Sequence, residues 1–347
     1  MDWLLAPQSI FEKFLGMFIA IILFVAIMSL ILWIIDRPKI PNWLVVVGFL
    51  GPVTIALAIG LFYPALSTAY RSFQVSQTAV GPDGKAIINR QTGQRSSELV
   101  FSLDNYTKVF TEPGFQKVLI NTVWWVLLVP IVATAFGLIY AVLVDRTRGE
   151  KLAKALVFLP MAISMVGASI IWKFMYEYRQ EGAPQIGLLN QVLVWFGLDP
   201  YQFIITEPWN TFFLIAVMIW INAGFAMTVL SAAIKSVPDD IVEAAQIDGA
   251  TGFKLFRKVT VPTIRPAVVV VLTTIAMGSL KAFDVVRTMT GGNFGTSVVA
   301  NEFYTQSFRQ GEGGVGIGAA LAVILFIIII PVIVYNVRQM RLSEEMR

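Results

Sequence analysis

Phe14-Leu-Gly-Met-Phe-Ile-Ala-Ile-Ile-Leu-Phe-Val-Ala-Ile-Met-Ser-Leu-Ile-Leu-Trp-Ile-Ile35 runs without one charged side chain. An α-helix needs roughly 20 apolar residues to cross about 30 Å of hydrocarbon, and this stretch is long enough. A secretory leader carries a basic start and an apolar run of only about 7–15 residues. This run is longer and has no basic region before it, so it is expected to stay as an anchored helix. Six more blocks of similar character follow, at 44–66, 118–144, 155–176, 209–233, 266–286 and 315–337. Backbone groups cannot remain unpaired in lipid, so each block is expected to be a helix; unalternating apolar runs argue against a barrel. The fold class is therefore an all-α membrane protein, a polytopic bundle of about seven transmembrane helices. Residues 1–43 are expected to form an anchor helix with a short loop. Residues 44–347 are expected to form the main transmembrane domain.

Composition agrees with that reading. The 347 residues are 56% hydrophobic and 14% charged, whereas soluble domains average about 45–50% and about 25%. The net charge of +4 does not point to nucleic acid, because the basic residues sit in short loops between apolar blocks. There is no Cys and no His, which removes disulfides, thiolate nucleophiles, Ser–His–Asp triads and most zinc sites. No catalytic residue, cofactor or metal site is expected, and no nucleotide-binding motif occurs. Gly84-Lys85 is not a P-loop, because Ala86 stands where Ser or Thr is needed.

Lys and Arg in short loops set orientation. Segments 36–43, 145–154, 234–265 and 338–347 carry 2, 4, 5 and 3 of them, against 1, 6, 1 and 2 in the much longer segments 1–13, 67–117, 177–208 and 287–314. The first set is expected in the cytoplasm, the N-terminus outside and the C-terminus inside. Trp33, Trp43, Trp124, Trp125, Trp172 and Trp209 lie near the expected span ends, as an aromatic belt requires. In the outer loop 67–117, Gly81-Pro82-Asp83-Gly84 reads as a turn between short segments at Phe73–Val80 and Lys85–Arg90, a small exterior hairpin.

The most informative loop is 234–265. Ser236 is suited to cap a helix, Pro238 to its first turn, and Asp239 and Asp240 to the positive end of its dipole. The helix should pass through Glu243-Ala244-Ala245 and stop at Gly249 in a left-handed cap. Thr251 can cap a second short helix on which Phe253 and Phe256 share a face. Two short helices joined at a glycine, with small residues and exposed aromatics, make a docking knob. Alanines permit close approach of a partner backbone and phenylalanines fill a pocket in it.

Glu243-Ala244-Ala245, then Gly249, then Val259-x-Val261-Pro262 resembles the EAA loop of binding-protein-dependent ABC importer permeases, which usually carry Ile and Leu at the two valines. Tyr63-Pro64, Ser67, Ser72-Phe73, Asn105-Tyr106, Asn121-Thr122, Phe158-Leu159-Pro160 through Trp172, Phe283-Asp284 and Met289-Thr290-Gly291-Gly292 extend the likeness over roughly residues 50–340. They resemble the carbohydrate-uptake class, in particular the larger maltose-permease-like subunit. The resemblance implies a type I ABC permease fold in a bacterial or archaeal cell membrane. It also implies a sugar importer of the maltose/alpha-glucoside kind. Its partners would be a second permease, a dimeric cytoplasmic ATPase and an extracytoplasmic sugar-binding protein. The coupling residues would be Glu243, Ala244, Ala245, Gly249, Phe253 and Phe256.

A charge within a span is costly and faces protein or water. Lys281 and Asp284 either pair with each other or line a sugar path, and Gly278 and Thr274 continue the Lys281 face at helical spacing. On the fifth span, Asn222 either bonds a sugar hydroxyl or a neighbouring helix, and Phe225 either stacks on a sugar or simply packs. Matching family positions favour the path for all six. A permease for glycerol-phosphate or another polar solute is the rival reading; Arg287 alone speaks for a phosphate path. A gradient-driven transporter would want paired broken helices and midplane carboxylates, and an intramembrane enzyme would want clustered carboxylates. Neither pattern is evident in the sequence. The glycine-rich stretch Gly311–Gly318 reads as an exterior turn with close helix packing.

Overall fold

The computed structural model describes residues 9–37, 40–78, 97–145, 147–180, 182–310 and 312–345. The chain divides into two compact units, Met1–Ser67 and Thr68–Arg347.

In the first unit, α1 (Ile10–Ile35) starts at a capping box. Ser9 Oγ accepts from the Glu12 N–H at 3.1 Å, and Glu12 Oε2 accepts from the Ser9 N–H at 3.2 Å. This satisfies two of the donors that a helix start leaves orphaned. Helix α2 (Asn42–Leu57) continues through a π-helical turn at Ala58–Phe62 into α3 (Tyr63–Arg71). Pro64 explains the turn: it offers no N–H to the carbonyl four residues back and its ring crowds that carbonyl, so the backbone widens locally.

The second unit opens with an antiparallel hairpin. Strand β1 (Gln74–Thr78) pairs with β2 (Ser97–Phe101) from Gln74 opposite Phe101 to Thr78 opposite Ser97. Strand β1 lies within the first expected segment, and its partner among the described residues is 97–101. The expected turn and second segment lie outside the described residues. Helix α4 (Asp104–Thr111) locks onto β1 through buried Asn105, whose Nδ2 donates to the carbonyls of Ser72 at 3.0 Å and Gln74 at 2.9 Å.

Next come the long helix α5 (Pro113–Val144), the short helices α6 (Glu150–Phe158), α7 (Met165–Met175) and α8 (Leu188–Trp195), and the long helix α9 (Trp209–Lys235). Then come α10 (Asp239–Ile247), α11 (Gly252–Leu255), α12 (Val261–Thr263), α13 (Arg265–Leu280), α14 (Phe283–Met289), α15 (Val299–Arg309) and α16 (Glu312–Glu345). Helices α5, α9 and α13 share the main core, which includes Trp125, Val129, Leu214, Met227, Leu230, Val271 and Ile275. Small residues allow the approach: a Cβ on Gly137 would run into Ala226 Cβ, and one on Gly224 would lie 2.5 Å from the Val157 carbonyl. Asn336 of α16 donates to Thr273 of α13, a polar tie between two apolar helices. The opposite sides of the helices stay apolar and exposed, for example Ile120, Leu127 and Ile131 on α5 and Phe326, Ile327 and Ile330 on α16. Surfaces of this kind suit lipid or a partner helix.

Five helical stretches among the described residues are long and apolar enough to cross a membrane: Ile10–Ile35, Asn42–Arg71, Pro113–Val144, Trp209–Lys235 and Gly314–Gln339. Two more result if each bent pair forms one span. Glu150–Ala162 and Met165–Met175 bend by 102° after the 3-10 turn at Leu159–Ala162, which contains Pro160. Gly252–Thr263 and Arg265–Leu280 bend by 69° where Pro266 restarts the helix. The sixth block departs from expectation at its end. Helix α13 stops at Leu280 and a new helix begins at Phe283. Ser279 Oγ turns back to the Ala276 carbonyl, and the N–H groups of Lys281 and Ala282 reach only three residues back. Gly278-Ser279 is a weak helix pair, and the end tightens. Trp125 also departs: it is fully buried in the core, while Trp124 is 42% exposed. Adjacent helical residues point about 100° apart, so only one of the two can face outward.

Candidate functional site

The knob at 234–265 forms as two short helices. Pro238 occupies the cap position of α10, with Asp239 and Asp240 in its first turn. Ser236 does not cap it; its hydroxyl donates to the Ala233 carbonyl and closes α9. At the other end Gly249 adopts φ 78°. Its N–H donates to the Gln246 carbonyl at 3.0 Å, and the Ala250 N–H donates to the Ala245 carbonyl at 2.9 Å. These paired bonds are a Schellman cap, in which a left-handed residue satisfies the last carbonyls and reverses the chain. Ala250 is buried beneath the turn. Thr251 stands at the cap position of α11, without a side-chain bond to it.

A π-helical turn at Phe256–Thr260 links α11 to α12 and ends two residues before Pro262, as the turn at Ala58–Phe62 ends two residues before Pro64. The same proline effect widens both.

The knob's outer surface is open. Glu243 and Ala244 are exposed and Ala245 is half-buried. Ile247 is 87% exposed and Phe253 74%, values that a soluble surface rarely gives to large apolar side chains. Phe256 is half-buried, with its ring 6.3 Å from that of Phe253. The two rings and Gly252 face Leu138, Ile139, Val142 and Leu143 of α5 across an apolar cavity of about 610 Å³. This wall comes from a helix more than a hundred residues earlier, and nothing in the loop's own sequence signals it.

The six residues expected to line a path lie in three places. Asn222 and Phe225 are half-buried on α9, and Asn222 Nδ2 donates to the Met218 carbonyl of its own helix at 2.8 Å. Thr274 and Gly278 are exposed on α13, and a Cβ on Gly278 would meet only Met218 Cε, at 4.0 Å. Met218 therefore lies between the two stripes and brings Gly278 close to the Asn222 turn. Lys281 and Asp284 are exposed on either side of the helix break. Among the described residues neither makes an ion pair, so the break takes Lys281 and Asp284 out of the helical register that would have joined them.

The Thr290–Ser297 loop follows α14, and its anchors come from far away in sequence. Asn121 Nδ2 donates to the carbonyls of Gly295 at 2.7 Å and Ser297 at 3.0 Å. Asn210 Nδ2 donates to the Phe294 carbonyl at 2.8 Å, and Thr122 Oγ1 accepts from the Val299 N–H at 2.9 Å. Beside the loop, Lys117 pairs with Glu207, and a cleft of about 290 Å³ brings Glu112, Lys117, Ser297 and Glu302 together with Phe115 and Val118. Asn210 and Glu207 carry no motif or spacing that marks them in the sequence. Arg287 stacks on Tyr304 at 4.9 Å. Among the described residues no three His, Cys, Asp or Glu side chains converge as metal ligands.

Residues 115–341 match the family model described as "Binding-protein-dependent transport system inner membrane component". An alpha-glucoside transport system permease protein of Rhizobium meliloti is 41% identical over 84% of this chain and 80% of its own length. An osmoprotective compounds uptake permease protein of Synechocystis is 42% identical over 86% of this chain and 100% of its own. In structure, a chain of a bacterial alginate ABC transporter, solved with an alginate pentasaccharide-bound periplasmic protein, superposes with TM-score 0.66 at 22% identity, covering 85% of this chain and 93% of its own.

Proposed function

Since the chain belongs to the binding-protein-dependent transport system inner membrane components, and is a multi-pass membrane permease, we propose that it forms half of the solute path of an ATP-driven sugar importer. A separate ATPase drives that path and an external binding protein feeds it. The observation that carries this reading is the exposed two-helix knob, with Ile247 and Phe253 bare at its tip and Gly249 setting the turn between its helices. Large apolar side chains left in water cost about 1.5–3 kcal/mol each relative to burial, so this tip is built for a partner. Glu243, Ala244, Ala245 and Phe256 complete the coupling surface. A second permease forms the other half of the path.

The cycle follows from connectivity. Closure of an ATPase dimer displaces α10 and α11. Helix α9 leads into the knob and α13 leads out of it, so both ends of one push reach path-lining helices. Their rearrangement turns the path formed by Asn222, Phe225, Thr274, Gly278, Lys281 and Asp284 from inward-facing to outward-facing. In this reading loop 234–265 and the C-terminus are cytoplasmic, the N-terminus and the 67–117 loop are external, and residues 1–43 are an anchor preceding the permease domain, 44–347. The chain itself performs no hydrolysis.

Asparagine and aromatic side chains beside small residues suit a hydroxyl-rich ligand, and the Rhizobium relative's name supports alpha-glucosides of the maltose and trehalose kind. The Synechocystis relative supports a second reading, a small osmoprotective solute, on the same machinery. Because the protein has no native cysteine, Phe253→Cys gives a single thiol at the knob tip. Cross-linking to the ATPase subunit is expected, and an Ile10→Cys thiol should give none. Absence of any Phe253→Cys product in an assembled, hydrolysing complex would refute the coupling role. Competition among maltose, trehalose and glycerol-phosphate for uptake decides the solute.

A further inference from the structure

Where α9 leaves the bundle toward the knob, four charges from three helices meet. Asp145 closes α5, Glu150 opens α6 with Lys154 one turn on, and Lys235 ends α9. Lys154 Nζ donates to Asp145, to Ser231 Oγ, and to Glu150 Oε1 at 2.9 Å. Ser231 Oγ donates to Asp145 Oδ1 at 2.8 Å. Lys235 Nζ pairs with Glu150 and stands 3.9 Å from Asp145. The signs alternate, and the centre is sheltered: the Asp145 side chain is 9% exposed and Lys154 23%.

This is not how a mere fastening would be built. A carboxylate at the C-terminal end of α5 faces the negative pole of the helix dipole, and taking ion pairs out of water contributes little net stability. Asp145 Oδ2 is also buried, with no hydrogen-bond partner among the described residues. What such a cluster does supply is geometry, because Lys154 bridges both carboxylates and moving it takes from the sheltered Asp145 its closest cation. Only Ser236, Val237 and Pro238 separate Lys235 from α10. A push on the knob thus arrives first at the residue that holds α9 to the α5–α6 corner.

We infer that Asp145, Lys154, Ser231 and Lys235, with Glu150, form a positioning joint that makes the α5–α6 corner move with α9 when the coupling knob is displaced. The inference rests on the coupling reading above. It adds that sugar movement depends on this joint as well as on the knob.

The test uses the assembled transporter in vesicles, with its ATPase, second permease and binding protein, and radiolabelled maltose as probe. The quantity read is maltose imported per ATP hydrolysed. Asp145→Asn and Lys154→Met are expected to lower that ratio about tenfold, while Lys154→Arg, which keeps the charge, stays within about twofold of wild type. A structural fastening would instead lower yield and both activities together, leaving the ratio fixed. An unchanged ratio in assembled Asp145→Asn and Lys154→Met overturns the joint. If those two do not assemble, Lys235→Met, at a side chain that is 50% exposed, and Ser231→Ala decide by the same ratio. Gly249→Val is the control. If it uncouples and the joint variants do not, only the joint is refuted; if it also leaves the ratio unchanged, the coupling reading itself falls.

Discussion

Replacing Gly249 tests the coupling surface at its least tolerant backbone position. The residue sits at φ 78°, and a Cβ built there would meet no atom within 4 Å. Steric clash with neighbours therefore contributes nothing, and the whole cost is the left-handed conformation itself, roughly 1–2 kcal/mol for an ordinary L-residue. That shifts the balance between the capped turn and other arrangements of the loop by about 5- to 30-fold. Asn tolerates this region, Ala does not, and a β-branched Val is worse. Uptake by vesicles is thus expected to fall in the order Gly249→Asn, Gly249→Ala, Gly249→Val. Membrane insertion should be unaffected, because neither α9 nor α13 touches the changed atom. ATP hydrolysis should persist without matching transport. Wild-type uptake by Gly249→Val, or equal loss in the Asn and Val variants, would refute the reasoning.

Gly137→Leu should destabilise the detergent-solubilised protein by about 1–3 kcal/mol or more, because its Cβ would already run into Ala226 Cβ and lie 2.6 Å from the Met227 amide; a thermal melt checks this. Asn121→Ala removes two bonds to the Thr290–Ser297 loop, each contributing about 0.5–1.5 kcal/mol, so protease should cut near Gly295 sooner than in wild type. Gly278→Phe should close the space between α13 and Met218 and abolish uptake while leaving knob cross-linking intact. Lys281→Met and Asp284→Asn should act independently on uptake, with a double-mutant coupling below about 0.5 kcal/mol; strong coupling would mean that the two do pair.

Local properties carry most of what is legible along the chain. The spans follow from apolar length, and the knob from Pro238, the acidic first turn and Gly249. Each of these depends on residues within a few turns of one another. Three features escape such a reading, each for its own reason. The sixth span ends early because Gly278-Ser279 is a weak helix pair, and hydropathy over the block does not record where a helix breaks. Trp125 lies in the core and not at the membrane interface, because hydropathy does not record which way a helix faces. The second strand falls at 97–101 because its register depends on the pairing and not on its own composition.

The sequence by itself determined that this is a bundle of membrane helices with a two-helix knob between the fifth and sixth spans, since solvent preference and backbone capping are properties of short stretches. Only the tertiary structure decided that the α5 wall lies behind Phe253 and Phe256, that Met218 lies against both Gly278 and Asn222, and that Asp145 meets Lys235 at the root of the knob. Those contacts join residues far apart along the chain. Their energies depend on distance in space, which no local pattern of residues encodes.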